Sequence, residues 1–173
     1  MTPDELRARI REIPDFPKPG ILFYDITTLL KDPVAYRSAI DAMLAPYAGM
    51  PIDIVVGMES RGFIFSAPLA YQLGAGLVPV RKLGKLPAET ISVEYALEYG
   101  SNTLEVHRDA IQPGQKVLVV DDLLATGGTV NGTVELVQRL KGEIVGLAFL
   151  VELGFLKGRD RLAGYTVSSV ITY

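Results

Sequence analysis

Lys116-Val-Leu-Val-Val-Asp-Asp-Leu-Leu-Ala-Thr-Gly-Gly-Thr129 passes from an apolar run through an acidic pair and a glycine turn into a helical pattern. The apolar run suits a strand buried on both faces of a sheet. Thr126-Gly127-Gly128-Thr129 at the head of a helix offers backbone N–H groups, two hydroxyls and the positive end of the helix dipole, all suited to a phosphate. Asp121 and Asp122 would repel that phosphate. A ribose 5-phosphate reconciles the two halves, with phosphate on the turn and sugar hydroxyls donating to the carboxylates. Two commoner phosphate motifs do not fit. A P-loop needs Lys after its last glycine, where Thr129 stands, and the turn lacks the G-x-G-x-x-G of a dinucleotide site.

Working outward, the chain has the length of one domain spanning 1–173, and its 49% hydrophobic content supports a packed core. A net charge of −3 gives no reason to expect nucleic acid, and no apolar stretch reaches the length of a membrane span. Met1-Thr-Pro-Asp-Glu5 lacks the basic-then-apolar character of a signal peptide. The absence of cysteine removes disulfides, a thiol nucleophile and cysteine metal sites. The default expectation is a cytoplasmic protein.

Thr2-Pro3 reads as the cap of a helix reaching about Ile13, and Asp32-Pro33 as the cap of a second. Strands are expected at 52–56, 77–80, 103–106, 116–120, 143–151 and 165–172, and helices at about 63–73 and 130–140. Such alternation implies an α/β fold with a central parallel sheet flanked by helices. Residues 81–102 combine Arg81, Lys82 and Lys85 with Gly84, Pro87 and a polar stretch, the pattern of a flexible functional loop. Phe63, Phe65, Tyr71 and Leu73 are expected in the core. His107 reads as a surface or hydrogen-bonding residue, and Lys157-Gly-Arg-Asp-Arg161 as a solvated turn.

Ligands of parallel sheets collect beyond the carboxyl ends of the strands. Three turns arrive there, 57–62, 81–85 and 121–129. The first two bring Arg61, Arg81, Lys82 and Lys85, enough positive charge for a second, more highly charged anion. A pyrophosphate carrying Mg²⁺ fits that description.

The 121–129 passage resembles the phosphoribosyl pyrophosphate (PRPP) motif of the type I phosphoribosyltransferases. Other stretches resemble the adenine-specific members of that family: Phe16-Pro-Lys-Pro-Gly-Ile-Leu-Phe23, Glu59-Ser-Arg-Gly-Phe63, Arg81-Lys-Leu-Gly-Lys-Leu-Pro87, Leu97-Glu-Tyr-Gly100 and Val151-Glu-Leu153. The resemblance implies the type I phosphoribosyltransferase fold, with a small N-terminal hood at about 1–30 and the flexible loop at about 81–102. It implies purine salvage, in which adenine and PRPP give AMP and pyrophosphate with Mg²⁺ travelling with PRPP. It also implies a homodimer in which Arg81 reaches the partner's active site.

Residue roles follow from the same resemblance. Ala125 to Thr129 would hold the 5-phosphate, and Ser60, Arg61, Arg81, Lys82 and Lys85 the pyrophosphate. Leu22, Tyr24 and Leu123 would meet adenine, although the family commonly carries Arg where this chain has Tyr24. A cis peptide is expected before Ser60. Asp121 and Asp122 would orient the ribose hydroxyls and favour a cationic sugar. The hypoxanthine-guanine enzymes carry Asp at the position of Ala125, where it serves the base. Its absence points to adenine and to Glu98, beside Tyr99 in the loop, as the acid/base residue. Closure of 81–100 would exclude water. Two alternatives stand beside this reading: an enzyme for another base such as xanthine or hypoxanthine, and a regulator that senses PRPP.

Overall fold

The structure, a computed structural model, describes residues 1–96 and 101–173. Its order is α1 (Pro3–Arg7), β1 (Arg11–Pro14), β2 (Leu22–Asp25), α2 (Thr27–Leu30), α3 (Pro33–Leu44), β3 (Ile54–Met58), α4 (Gly62–Leu73), β4 (Gly76–Lys82), β5 (Thr90–Ala96), β6 (Ser101–His107), β7 (Lys116–Leu124), α5 (Gly128–Arg139), β8 (Glu143–Glu152) and β9 (Val167–Thr172). Leu97, Glu98, Tyr99 and Gly100 lie outside the described residues.

The main sheet has seven strands in the order β5-β6-β4-β3-β7-β8-β9. Strands β4-β3-β7-β8-β9 run parallel, while β6 is antiparallel to both β4 and β5. The middle of the five parallel strands is β7, whose Val117, Leu118, Val119 and Val120 are fully buried. Alternate residues serve opposite faces. Leu118 and Val120 join the core under α3 and α4, while Val117 and Val119 join the core under α5. Full burial of each such side chain is worth about 1.5–3 kcal/mol, so this strand ties both layers together.

Local chemistry sets the helices. The Asp32 carboxylate accepts hydrogen bonds from the Val34 and Ala35 N–H groups at 3.0 and 3.1 Å, capping α3. Helix α4 ends at Gly74, whose φ of 66° places it in the left-handed region. Tyr47 crosses from the end of α3 to the sheet, with its hydroxyl 2.8 Å from Ser168 Oγ and donating to the Leu147 carbonyl at 3.3 Å. Gly146 leaves room for that ring, since a Cβ there would stand 2.4 Å from Tyr47 Cε1.

Four expectations need correction. The first helix stops at Arg7 instead of running to Ile13, because Arg11–Pro14 pairs with Leu22–Asp25 as a separate two-stranded sheet. An ion pair between Arg11 and Asp25 fastens that register. Within 81–102, read as a loop, Thr90–Ala96 is strand β5, with Ile91, Val93 and Tyr95 packed towards α5. Strand β7 continues through Leu124, so Asp121 and Asp122 sit on its last residues instead of in the turn. Tyr71, expected in the core, is 88% exposed, whereas Phe65 is fully buried as expected. Tyr71 follows two buried residues on α4 and falls on that helix's outer side.

Candidate functional site

At the carboxyl end of the sheet, Glu59, Ser60, Arg61, Lys82, Asp121, Asp122, Leu123, Ala125 and Thr129 line a cleft of about 390 Å³. The turns after β3 and β7 thus meet as the sequence implies, joined by the end of β4. Beside it, Asp121 and residues 123–130 line a smaller pocket at the start of α5. Gly127 has a φ of 82°, a conformation that glycine adopts without a Cβ penalty. Helix α5 has no side-chain cap, so its first-turn N–H groups are presented to that pocket, an arrangement suited to an anion.

The acidic pair is electrically asymmetric. Asp122 is 4% exposed, and Arg61 Nε lies 2.9 Å from its Oδ2. The Asp122 N–H donates to Asp121 Oδ1 at 2.9 Å. Burial pushes the Asp121 carboxyl well above the usual carboxylate range, and the Asp122 charge pushes it further. Burial also raises Asp122, against the opposing pull of the Arg61 guanidinium. Protons on two such close carboxyls belong to the pair. Gly62 lets them sit here, because a Cβ at that position would come within 2.7 Å of Asp121 Oδ1.

The Glu59–Ser60 peptide is cis, as expected. Glu59 itself carries a role that the sequence reading missed. Arg81 Nε and Nη2 each lie 3.3 Å from its carboxylate, Lys85 Nζ lies at 3.2 Å, and the Lys82 N–H donates at 2.9 Å. Burial opposes the charge, but the Lys82 N–H and the Arg81 and Lys85 side chains outweigh it and hold Glu59 at about 2. A second missed carboxylate, Glu105, is 3% exposed on β6 and accepts the N–H groups of Lys85 and Leu86 at 2.9 and 2.8 Å. Together these acids pin the basic turn 81–86. Neither had a local signal, since a single acid inside a motif or strand ordinarily faces solvent.

A stability prediction arises here. A carboxyl whose folded pKa is depressed stabilises the fold above its unfolded value and ceases to do so as pH falls through the folded value. For Glu59 that window runs from 4.5 down to about 2. Acid titration of Glu59→Gln followed by circular dichroism should therefore show a shallower stability loss across that window than the parent. Parallel curves would exclude the Glu59 ion pairs as the source.

On the β2 side, Tyr24, Ile26, Arg61, Asp122, Leu123 and Val151 surround a small apolar pocket. Tyr24 stacks on Tyr173 with ring centroids 3.8 Å apart, and the Arg61 guanidinium lies 5.6 Å from the centre of the Phe23 ring. Tyr24 and Leu123 are thus brought together, while Leu22, 41% exposed at the start of β2, is outside that pocket's lining. The remaining implied residues, Glu98 and Tyr99, fall outside the described residues.

The family described as Phosphoribosyl transferase domain matches residues 38–171. The chain is 61% identical to an adenine phosphoribosyltransferase of Acidobacterium capsulatum, covering 98% of this chain and 94% of the relative. A crystal structure of the adenine phosphoribosyltransferase from Thermoanaerobacter pseudethanolicus superposes with a TM-score of 0.96 at 53% identity, over 99% of this chain and 100% of that one. The Saccharomyces cerevisiae enzyme, solved with an imino-altritol bisphosphate and adenine, gives a TM-score of 0.91 at 40% identity, over 97% of each chain.

Proposed function

This chain belongs to the phosphoribosyltransferase family and, within it, to the adenine phosphoribosyltransferases, and from that premise we propose how its residues divide the reaction. The enzyme is a pentosyltransferase of purine salvage: adenine displaces pyrophosphate from PRPP to give AMP. The observation that carries the division of labour is the cleft in which an acidic pair, Asp122 buried and Asp121 partly so, lies between an uncapped helix start and a basic turn.

The N–H groups and hydroxyls of 125–129 hold the 5-phosphate. The ribose 2′ and 3′ hydroxyls donate to Asp121 and Asp122. As the bond from C1 to pyrophosphate breaks, positive charge builds on the sugar, and the two carboxylates stabilise it. Arg61 pairs with Asp122 while lining the pyrophosphate side with Ser60 and Lys82. Glu59 holds Arg81 and Lys85 next to that side through ion pairs. Glu98 takes the imidazole proton of adenine as its nitrogen bonds to C1. Tyr24 and Leu123 flank the base, with the methyl group of Ala125 leaving no carboxylate for a 6-oxopurine to use.

Magnesium enters with PRPP as part of the substrate. Among the described residues no three His, Cys, Asp or Glu side chains cluster as a metal cage, and phosphate oxygens with one or two carboxylates form an ordinary magnesium environment. Bound with PRPP, the ion would supply positive charge to the pyrophosphate, on the side lined by Ser60, Arg61 and Lys82. No helix among the described residues is long and apolar enough to cross a membrane. A cytoplasmic homodimer, a hood at 1–30 and closure of the 81–102 segment complete the reading on the strength of the family resemblance.

The test mixes the protein, PRPP and Mg²⁺ with each nucleobase in turn and measures pyrophosphate. Release above the slow base-free rate with adenine alone is the expected result. Release above that rate with hypoxanthine or xanthine would reassign the base, and no stimulation by any base would favour a PRPP sensor.

A further inference from the structure

In the Lys157–Arg161 turn, read from sequence as solvated, Lys157, Arg159, Asp160 and Arg161 are exposed, but Gly158 is buried against the backbone of the phosphate turn. Lys157 adopts a left-handed φ of 53°, and the buried Gly158 follows at the start of a 3-10 turn running to Leu162. A Cβ on Gly158 would lie 2.1 Å from the Ala125 carbonyl oxygen and 3.0 Å from Gly127 N. Reciprocally, a Cβ on Gly127 would lie 2.6 Å from the Gly158 carbonyl oxygen. The two backbones therefore touch at a spacing that only a pair of glycines allows.

An ion pair fixes the bend, its carboxylate buried and its arginine side chain 47% exposed. Arg159 Nε and Nη2 donate to the two oxygens of Glu152 at 3.0 and 2.5 Å, and Nη1 donates to the Val167 carbonyl at 2.9 Å. Ser169 Oγ donates to Glu152 at 2.6 Å, and Glu152 is 7% exposed at the end of β8. Leu162 then returns into the core that also holds Leu124 and Val130, on either side of the phosphate turn. The bend is thus anchored to β8 and β9 by its arginine and to the α5 layer by its leucine.

We propose that Gly158 and Arg159 are positioning residues for the 5-phosphate. The Glu152–Arg159 pair holds the Lys157–Gly158 bend, and that bend sets where the Ala125–Gly127 backbone presents its N–H groups. The inference rests on the reading of 125–129 as the 5-phosphate site. It distinguishes Gly158 from a residue of general structural value, because its effect is confined to the substrate that carries the phosphate.

The experiment compares Gly158→Ala and Arg159→Ala with the parent in steady-state kinetics, with thermal melting as a control. Displacing a binding group by a fraction of an ångström to an ångström costs about tenfold or more, so Gly158→Ala should raise the KM for PRPP at least about that much. The KM for adenine should stay within about twofold. Arg159→Ala should show the same selectivity to a smaller degree, and Arg159→Lys, which keeps the charge without the two-pronged fork, should restore part of it. An unchanged PRPP KM in a folded Gly158→Ala protein, or an equal change in both KM values, would overturn the proposal. Should Gly158→Ala fail to fold, the two Arg159 variants decide by the same criterion. Thr126→Val separates the underlying reading: if it leaves the PRPP KM unchanged, the 5-phosphate site itself is wrong, whatever Gly158 does.

Discussion

Asp122→Asn is expected to lower kcat by about 10²–10³-fold, the range for losing one preorganised charge at the transition state, in a protein that stays folded. The substitution is nearly isosteric, and Asn can still accept a hydrogen bond from a ribose hydroxyl, so what it removes is the negative charge. That charge lies almost wholly out of water, 4% exposed, where it acts on a cationic sugar with little screening. Its removal should not unfold the protein. Burial raises both carboxyls, and a raised folded pKa means stability that is present at low pH and lost as pH climbs through the shifted range. The fold therefore disfavours the charged form of each carboxyl, and neutralising one member relieves the other. Arg61, with 37% of its side chain exposed, can turn to solvent. Steady-state kinetics with a melting curve at pH 7 checks both halves. An unchanged kcat would remove the carboxylate from the mechanism, and a melting point well below the parent would make the loss structural.

The parts legible in the sequence were those in which local pattern and tertiary role coincide. The run Val117–Val120 must be covered on both faces, and Gly127-Gly128 must turn sharply, so β7, its glycine turn and α5 could be read directly. The first helix shows the opposite case. Thr2 and Pro3 mark its start, with the cap and Glu5 bonding reciprocally, but its end is set by pairing of Arg11–Pro14 with β2, which no nearby residue signals. Strand β5 carries a legible alternation in Ile91, Val93 and Tyr95, masked by the basic and glycine-bearing residues before it. Glu59 and Glu105 become anchors through register, since Arg81 pairs with Glu105 across β4 and β6. The Gly127–Gly158 contact joins residues far apart in the chain, and neither glycine predicts the other.

Glu98→Gln should lower kcat by about 10²–10⁴-fold, the usual contribution of a positioned general base, while leaving the KM for PRPP close to the parent's. Adenine must shed its imidazole proton as it bonds to C1, or the product forms with a positive charge on the base. The carboxylates lining the described cleft are poorly suited to accept it. Glu59 is held at about 2 by its cations, too weak a base at neutral pH, and Asp121 and Asp122 face the ribose on the proposed reading. Ala125 offers nothing. If Glu98 is the acceptor, the acidic limb of the kcat–pH profile should vanish in Glu98→Gln, and persistence of that limb at full activity would place the acceptor elsewhere. Slow release of pyrophosphate from PRPP without adenine separates the two variants. Water can attack the sugar cation without Glu98, so Glu98→Gln should keep this reaction. Asp122→Asn should lose it together with transfer, because both routes pass through the same charged sugar.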